Sequence, residues 1–294
     1  MKRIIFLWAA LAAVLLCACG GKPAAPQPAE PEAPHVTALI CSDGEMTLRF
    51  HRGEDGTWLW TDDTSFPLDG AQVDELAGRA QALESLTPLP ESEGPETYGL
   101  LNARQFVTLQ RSDGTTTTFR FGRDAGDGKC YVCSDQEPQR ICIGSRELLE
   151  QMGRSIYDMA ALPQLPAFTA DTLRQVTVTR GERTDKLTVS GGKWRRGGDD
   201  VTGSDAVQQL LALLASPAVT RCVDFAPSPG AAALCGLEPP AAVLTVTGAE
   251  DAALTLTVGS ATEDGTACFV TVNDDTTIYL MDAAALDVLR TWNE

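Results

Sequence analysis

Cys130 and Cys133 stand in a Cys-x-x-Cys spacing with Cys142 close behind, and three thiolates so placed can begin a zinc site. In an oxidising compartment the same sulfurs can instead form a disulfide from Cys142 to one of the others, or pack as small apolar side chains. Cys130 and Cys133 fall on strand-like sequence, where positions three apart point to opposite faces, and this works against a shared ion. Cys222 and Cys235 flank a Pro-rich loop and could be bridged, although spacing does not settle connectivity; Cys41 has no evident partner. The chain has two histidines, His35 and His51, neither in a nucleophile elbow or a zinc-type helix motif, so histidine-based hydrolysis is disfavoured and His51 reads as a surface residue. Asp124-Ala125-Gly126-Asp127-Gly128 and Asn273-Asp274-Asp275 collect oxygen ligands of the kind calcium accepts. They lack the full spacing of an EF-hand loop, and the same residue types build turns. Trp58, Trp60 and Trp194 could line a ligand groove or pack a sheet; Trp58 and Trp60 share one strand face, which favours packing. The abundant Asp and Glu permit carboxylate acid–base chemistry without indicating it. No catalytic residue, metal ligand or cofactor is assigned.

The elements that carry these residues are written twice. Thr97-Tyr98-Gly99-Leu100 recurs as Leu234-Cys235-Gly236-Leu237, and Phe121-Gly122 as Val258-Gly259; both glycine pairs lie 137 residues apart (236 − 99 and 259 − 122). Strand-like segments 106–110 and 116–121, split by a turn at Ser112-Asp113-Gly114, answer 243–247 and 253–258, split by Ala249-Glu250-Asp251. Asp127-Gly128 returns as Asp264-Gly265, residues 129–132 as 267–270 after a one-residue slip, and Ile141 as Ile278. Short helical patterns at 145–152 and 282–289 close the copies. Upstream, strand-like 37–41, 46–51 and 57–60 are separated by Asp-Gly turns, as 176–180, 186–190 and 193–195 are separated by glycine turns. A helix follows in each copy. Asp69 is expected to cap the first, with Val73, Leu76, Ala80 and Leu83 inward; Thr202 is expected to cap the second, with Val207, Leu210, Leu211 and Leu214 inward. Hairpins flanking one main helix predict an α+β fold, two tandem hairpin-rich antiparallel domains at 36–160 and 168–294 joined by a Pro-containing linker at 161–166. Gly99 and Gly236, each between a bulky residue and Leu, are expected to take positive φ, and Gly122 and Gly259 to end strands.

The amino end reads Met1-Lys2-Arg3 and then an apolar run at 4–16, the layout of a secretory signal and too short to cross a bilayer. It ends at Leu16-Cys17-Ala18-Cys19, which resembles a lipobox. That resemblance implies cleavage after residue 18 and a lipid on Cys19: a small residue precedes Cys19, whereas Leu16 precedes Cys17. Residues 19–35 form the expected tether, whose Pro-, Ala- and Glu-rich stretch at 20–34 reaches at most roughly 45 Å. Losing Lys2 and Arg3 leaves 21 basic against 40 acidic residues, so the formal charge moves from −17 to −19. Such a body repels phosphate backbones and anionic headgroups, which disfavours nucleic acid as a partner and leaves membrane attachment to the lipid.

A Tyr-Gly-Leu before a strand, a Gly ending the next strand, an Asp-Gly loop, an aromatic strand and a closing helix together resemble the bacterial family called domain of unknown function 4340, once per copy. The resemblance implies placement on the extracytoplasmic side of the cell membrane and no particular reaction. Relatives that accompany ATP-binding-cassette transporters, including those linked to gliding machinery, imply an accessory role. Cys235 stands where the first copy has Tyr98, so a role needing that hydroxyl does not carry to the second. The expectation is a lipid-anchored, non-enzymatic binding or assembly module with an envelope or transporter partner. Its rivals are a small-molecule or metal-ion receptor with a cleft between the copies, and an envelope hydrolase using carboxylates.

Overall fold

The computed structural model describes residues 33–292. The expected leader, Cys19 and the tether up to residue 32 lie outside the described residues. The first sheet is built from β1 (Val36–Asp43), β2 (Thr47–Arg52), β3 (Trp58–Trp60), then, after helix α1 (Gly70–Ala82), β4 (Gln105–Arg111), β5 (Thr116–Gly126), β6 (Lys129–Ser134) and β7 (Cys142–Ser145), with α2 (Glu147–Met152) following. All pairings are antiparallel in the order β3-β2-β1-β4-β5-β6-β7. Alternation sets the faces: in β4, Val107 and Leu109 are fully buried while Phe106, Thr108 and Gln110 point the other way. At the β1–β2 turn, Asp43 Oδ1 accepts from the amides of Glu45 (2.9 Å) and Met46 (2.7 Å), and Gly44 takes φ +97°, which a residue without Cβ does at little cost. Asp69 caps α1 by accepting from Ala71 N (3.1 Å). Val73, Leu76, Ala77 and Ala80 then form a stripe buried on the sheet, and Leu83, in the 3-10 turn beyond, continues it.

The second sheet comprises β8 (Leu173–Arg180), β9 (Arg183–Ser190), β10 (Lys193–Arg196) and β11 (Asp199–Asp200), then α3 (Asp205–Ala215), β12 (Arg221–Asp224), α4 (Ala231–Leu234), β13 (Ala242–Gly248), β14 (Ala253–Ala261), β15 (Ala267–Val272), β16 (Ile278–Asp282) and α5 (Ala283–Arg290). Its order is β11-β10-β9-β8-β13-β14-β15-β16-β12. The cap of α3 is Ser204, whose hydroxyl accepts from Val207 N (3.4 Å), not Thr202. Thr202 is already engaged: its hydroxyl donates to Asp200 (2.6 Å) and accepts from Trp194 N (2.9 Å), which closes the turn before the helix. Leu213 is buried on the sheet with Val207, Leu210 and Leu214, whereas Leu211 is half-buried. Ser204→Ala is expected to lower stability by about 1 kcal/mol, the usual worth of such a cap, read as a shifted urea midpoint; an unchanged midpoint would remove Ser204 from this role.

The two ladders share their registers. Leu39 pairs with Phe50 and Leu109, and Val176, 137 positions on (176 − 39), pairs with Leu187 and Val246. Phe106 pairs with Arg120 as Val243 pairs with Thr257, and Cys130 with Gly144 as Cys268 with Met281. β12 has no counterpart in the order of the first sheet and lies on the outer side of β16. From His35 on, the described residues cluster as one compact unit, and the buried side chains of both sheets join in one contiguous core. The fold is α+β, dominated by antiparallel sheet. Among the described residues no helix is long and apolar enough to cross a membrane.

Candidate functional site

Tyr98, Gly99, Leu100 and Gly122 come together on the first sheet, and Cys235, Gly236, Leu237 and Gly259 on the second. Leu100 N donates to Pro95 O (2.9 Å) and Gly99 N to Glu96 O (3.2 Å); Leu237 N donates to Ala232 O (2.8 Å) and Gly236 N to Ala233 O (3.0 Å). Both are the paired bonds by which a left-handed glycine ends a helical turn, and φ is +73° at Gly99 and +66° at Gly236. The carbonyl before each glycine then turns onto the neighbouring strand: Arg123 N donates to Tyr98 O (2.8 Å) and Ser260 N to Cys235 O (2.9 Å). Gly122 and Gly259 lie directly beneath those carbonyls, where a Cβ would overlap the oxygen. On the first sheet this elbow encloses a small satellite core of Leu100, Cys133 and Ile141, with the Tyr98 and Tyr131 rings 4.6 Å apart against it.

Where the sheets meet, Phe66 is buried among three rings. Trp60 and Phe225 stand edge-on at 5.5 Å, and Tyr157 at 6.0 Å. Phe225 follows β12, whereas Trp60, Phe66 and Tyr157 belong to the first sheet and its closing turn. The linker is pinned beside them: Ala161 N donates to Pro67 O (2.6 Å), Asp69 N to Met159 O (2.8 Å), and Phe168 N to Leu214 O (2.8 Å). Next to this hub opens a recess of about 500 Å³ walled by Asp69, Gln72, Tyr157, Asp158, Gln164 and Arg221. Arg221 Nε lies 2.8 Å from Asp158 Oδ1, and Asp158 also accepts from Ser155 N (3.0 Å) and Oγ (2.8 Å). Burial opposes ionisation of Asp158, but Ser155 and Arg221 hold its carboxyl below the usual range. Burial, with Asp224 and Cys222 nearby, raises the Tyr157 phenol. The wall thus offers guanidinium, amide and phenol donors beside carboxylate acceptors, a surface suited to a polar ligand.

The other residues with chemical potential are placed as follows. Every cysteine among the described residues is a free thiol. Cys130 faces the main core and Cys133 the satellite core, on opposite sides of β6. Burial pushes the Cys41 thiol up to about 12, and burial with Asp224 and Asp275 pushes that of Cys222 up to about 11, so both are protonated near neutral pH. His51 bonds Thr61 Oγ1 (3.0 Å) at the surface. Asp124 accepts from Gly126 N (2.6 Å) and pairs with Arg146 (2.7 Å); Asn273 accepts from Thr255 N (2.9 Å), and Asp275 from Thr277 and Tyr279. These carboxylates and amides shape turns. Trp58 and Trp194 are buried in the core, Trp58 donating to Asp74 (2.7 Å). The sequence reading did not single out Phe66, Tyr157, Phe225, Asp158 or Arg221. The signal available was weak: an isolated aromatic in each of two turn-like stretches.

The hub and the paired glycine elbows define an α+β protein of two antiparallel sheets joined around a polar recess. The chain belongs to the family described as Domain of unknown function (DUF4340), whose model matches residues 58–216 and again 202–294. No curated protein and no solved structure matches it.

Proposed function

We propose that the chain is a lipid-anchored module, held by Cys19 on the extracytoplasmic side of the cell membrane, that binds a partner protein without catalysing a reaction, as an accessory to a transporter or envelope complex. In this reading 36–160 and 168–294 are two copies of one domain, and the shared registers at an interval of 137 residues support it. The observation that carries the proposal is the hub at Phe66, which joins both sheets into one body and so gives a partner a fixed surface. The acidic balance favours a basic protein surface over nucleic acid or anionic lipid. The recess beside Arg221 supports a second reading, a receptor for a small polar molecule.

Chemical crosslinking in intact cells followed by capture of the anchored protein tests both. The expected result is one envelope protein crosslinked to the wild type, with Cys19→Ala leaving the membrane fraction or staying unprocessed. Normal processing and full membrane retention of Cys19→Ala would overturn the anchor. Absence of any specific crosslinked protein, with a small molecule co-purifying, would replace the module by the receptor.

A further inference from the structure

On the first sheet Arg120 projects from the outer face of β5. Its guanidinium donates to both oxygens of Asp135 (2.6 and 2.9 Å) and to the Ala103 carbonyl (3.1 Å), and it lies 6.0 Å from the ring of Phe106, its ladder partner. One cation thereby ties the segment entering β4 to the loop leaving β6. On the second sheet the same ladder position holds Thr257, paired with Val243 and with Thr271, as Arg120 is paired with Phe106 and with Cys133. A threonine cannot span that distance. Between the segment entering β13 and the loop leaving β15 there is instead an open groove of about 380 Å³. Thr257 and Thr271 lie on it, Leu237 and Pro227 supply apolar wall, the exposed carboxylate of Glu238 stands at its rim, and Asp275 adds negative charge there while its oxygens accept from Thr277 and Tyr279. Ala232 of α4 also lines the groove, and Leu234, at the end of that helix, is 89% exposed.

We propose that this groove docks a partner-protein segment carrying an arginine flanked by aliphatic residues, the incoming guanidinium taking the place that Arg120 fills on the first sheet. The charge fits, because the exposed Glu238 carboxylate, with the negative charge of Asp275 behind it, on a chain of net charge −17 favours a cation. The shape fits, because the same fold on the first sheet accommodates an arginine side chain there, lying between backbone carbonyl, carboxylate and an apolar neighbour. The apolar wall and Leu234 account for the aliphatic flanks. This inference rests on the reading of the chain as a binding module and names the site and the chemistry of its partner.

The test is fluorescence anisotropy of a labelled acetyl-Leu-Arg-Leu peptide on the full chain in neutral detergent micelles at physiological ionic strength, alongside the same peptide with citrulline for arginine. Saturable binding is expected for the arginine peptide and at least about tenfold weaker binding for the neutral one, the usual worth of a charge-assisted bond. Thr257→Arg supplies the missing cation from the chain itself and should abolish binding while keeping the melting temperature. Glu238→Gln, at an exposed rim position, should weaken binding about threefold or more. Equal binding of both peptides, no binding, or full binding by Thr257→Arg would each overturn the proposal. In cells, a Thr257→Arg protein that still crosslinks the wild-type partner removes the groove and leaves the module, whereas a wild type that crosslinks nothing removes the module itself.

Discussion

Gly122→Ala is expected to destabilise the protein by about 3 kcal/mol or more, at the severe end for a single substitution. The added Cβ would overlap the Tyr98 carbonyl oxygen and press Leu100 at 3.0 Å. That oxygen cannot retreat cheaply, because Arg123 N holds it at 2.8 Å and the left-handed turn at Gly99 fixes its direction. Accommodating the methyl therefore means parting the elbow from the strand and opening the satellite core of Leu100, Cys133 and Ile141. Gly259→Ala should behave alike against Cys235 O. Gly56→Ala is the control: φ there is +80° but nothing lies within 4 Å of the added atom, so only the backbone cost of about 1 kcal/mol applies. Urea unfolding followed by tryptophan fluorescence measures all three. A Gly122→Ala protein no weaker than Gly56→Ala would mean that the elbow is not a fixed contact.

Phe66→Ala should cost about 3–5 kcal/mol, the range for deleting a buried phenylalanine, and should also change the form of the transition. Three edge-on rings lose their common neighbour, and Phe225 is the aromatic among them that arrives from the second sheet. The polar tie across the junction, Arg221 to Asp158, is half exposed and weak, which leaves the packing of β12 on Ile156–Met159 to hold the halves. Differential scanning calorimetry is expected to show one transition for the wild type and two for Phe66→Ala, the sheets melting apart. A single transition displaced by only a few degrees would show that the hub does not couple them.

Much of this architecture is legible in the residues because its signals are local. Alternation with glycine turns marks the hairpins, Asp69 announces its helix, and the glycines of the Gly-Leu elbows take positive φ because the chain must reverse there. Legibility fails where two local solutions compete or where the partner is distant. Thr202 and Ser204 are both good caps, and only the bond from Thr202 to Asp200 shows which is occupied elsewhere. β12 is short, and its pairing with β16 spans the whole of β13 to β15. Phe66 and Phe225 lie 159 positions apart (225 − 66), beyond the reach of any local pattern. The groove at Thr257 lies between these cases: the 137-residue interval aligns Thr257 with Arg120, but the consequence of losing an arginine depends on Ala103 and Asp135, which the sequence does not place beside it.

β12 also has a consequence for behaviour at high concentration. A terminal strand presents unpaired amides and carbonyls that template aggregation unless something covers them. On the first sheet Pro88 meets Cys142 of β7, and proline brings no amide to extend the ladder. On the second, β12 covers β16 and lies against the turn of Ile156–Met159 from the first sheet. The strand that closes the edge is thus the strand that joins the halves. Loosening the junction would leave this short strand on β16 by its own ladder alone, and fraying there would offer the edge of β16 to a second copy of the chain.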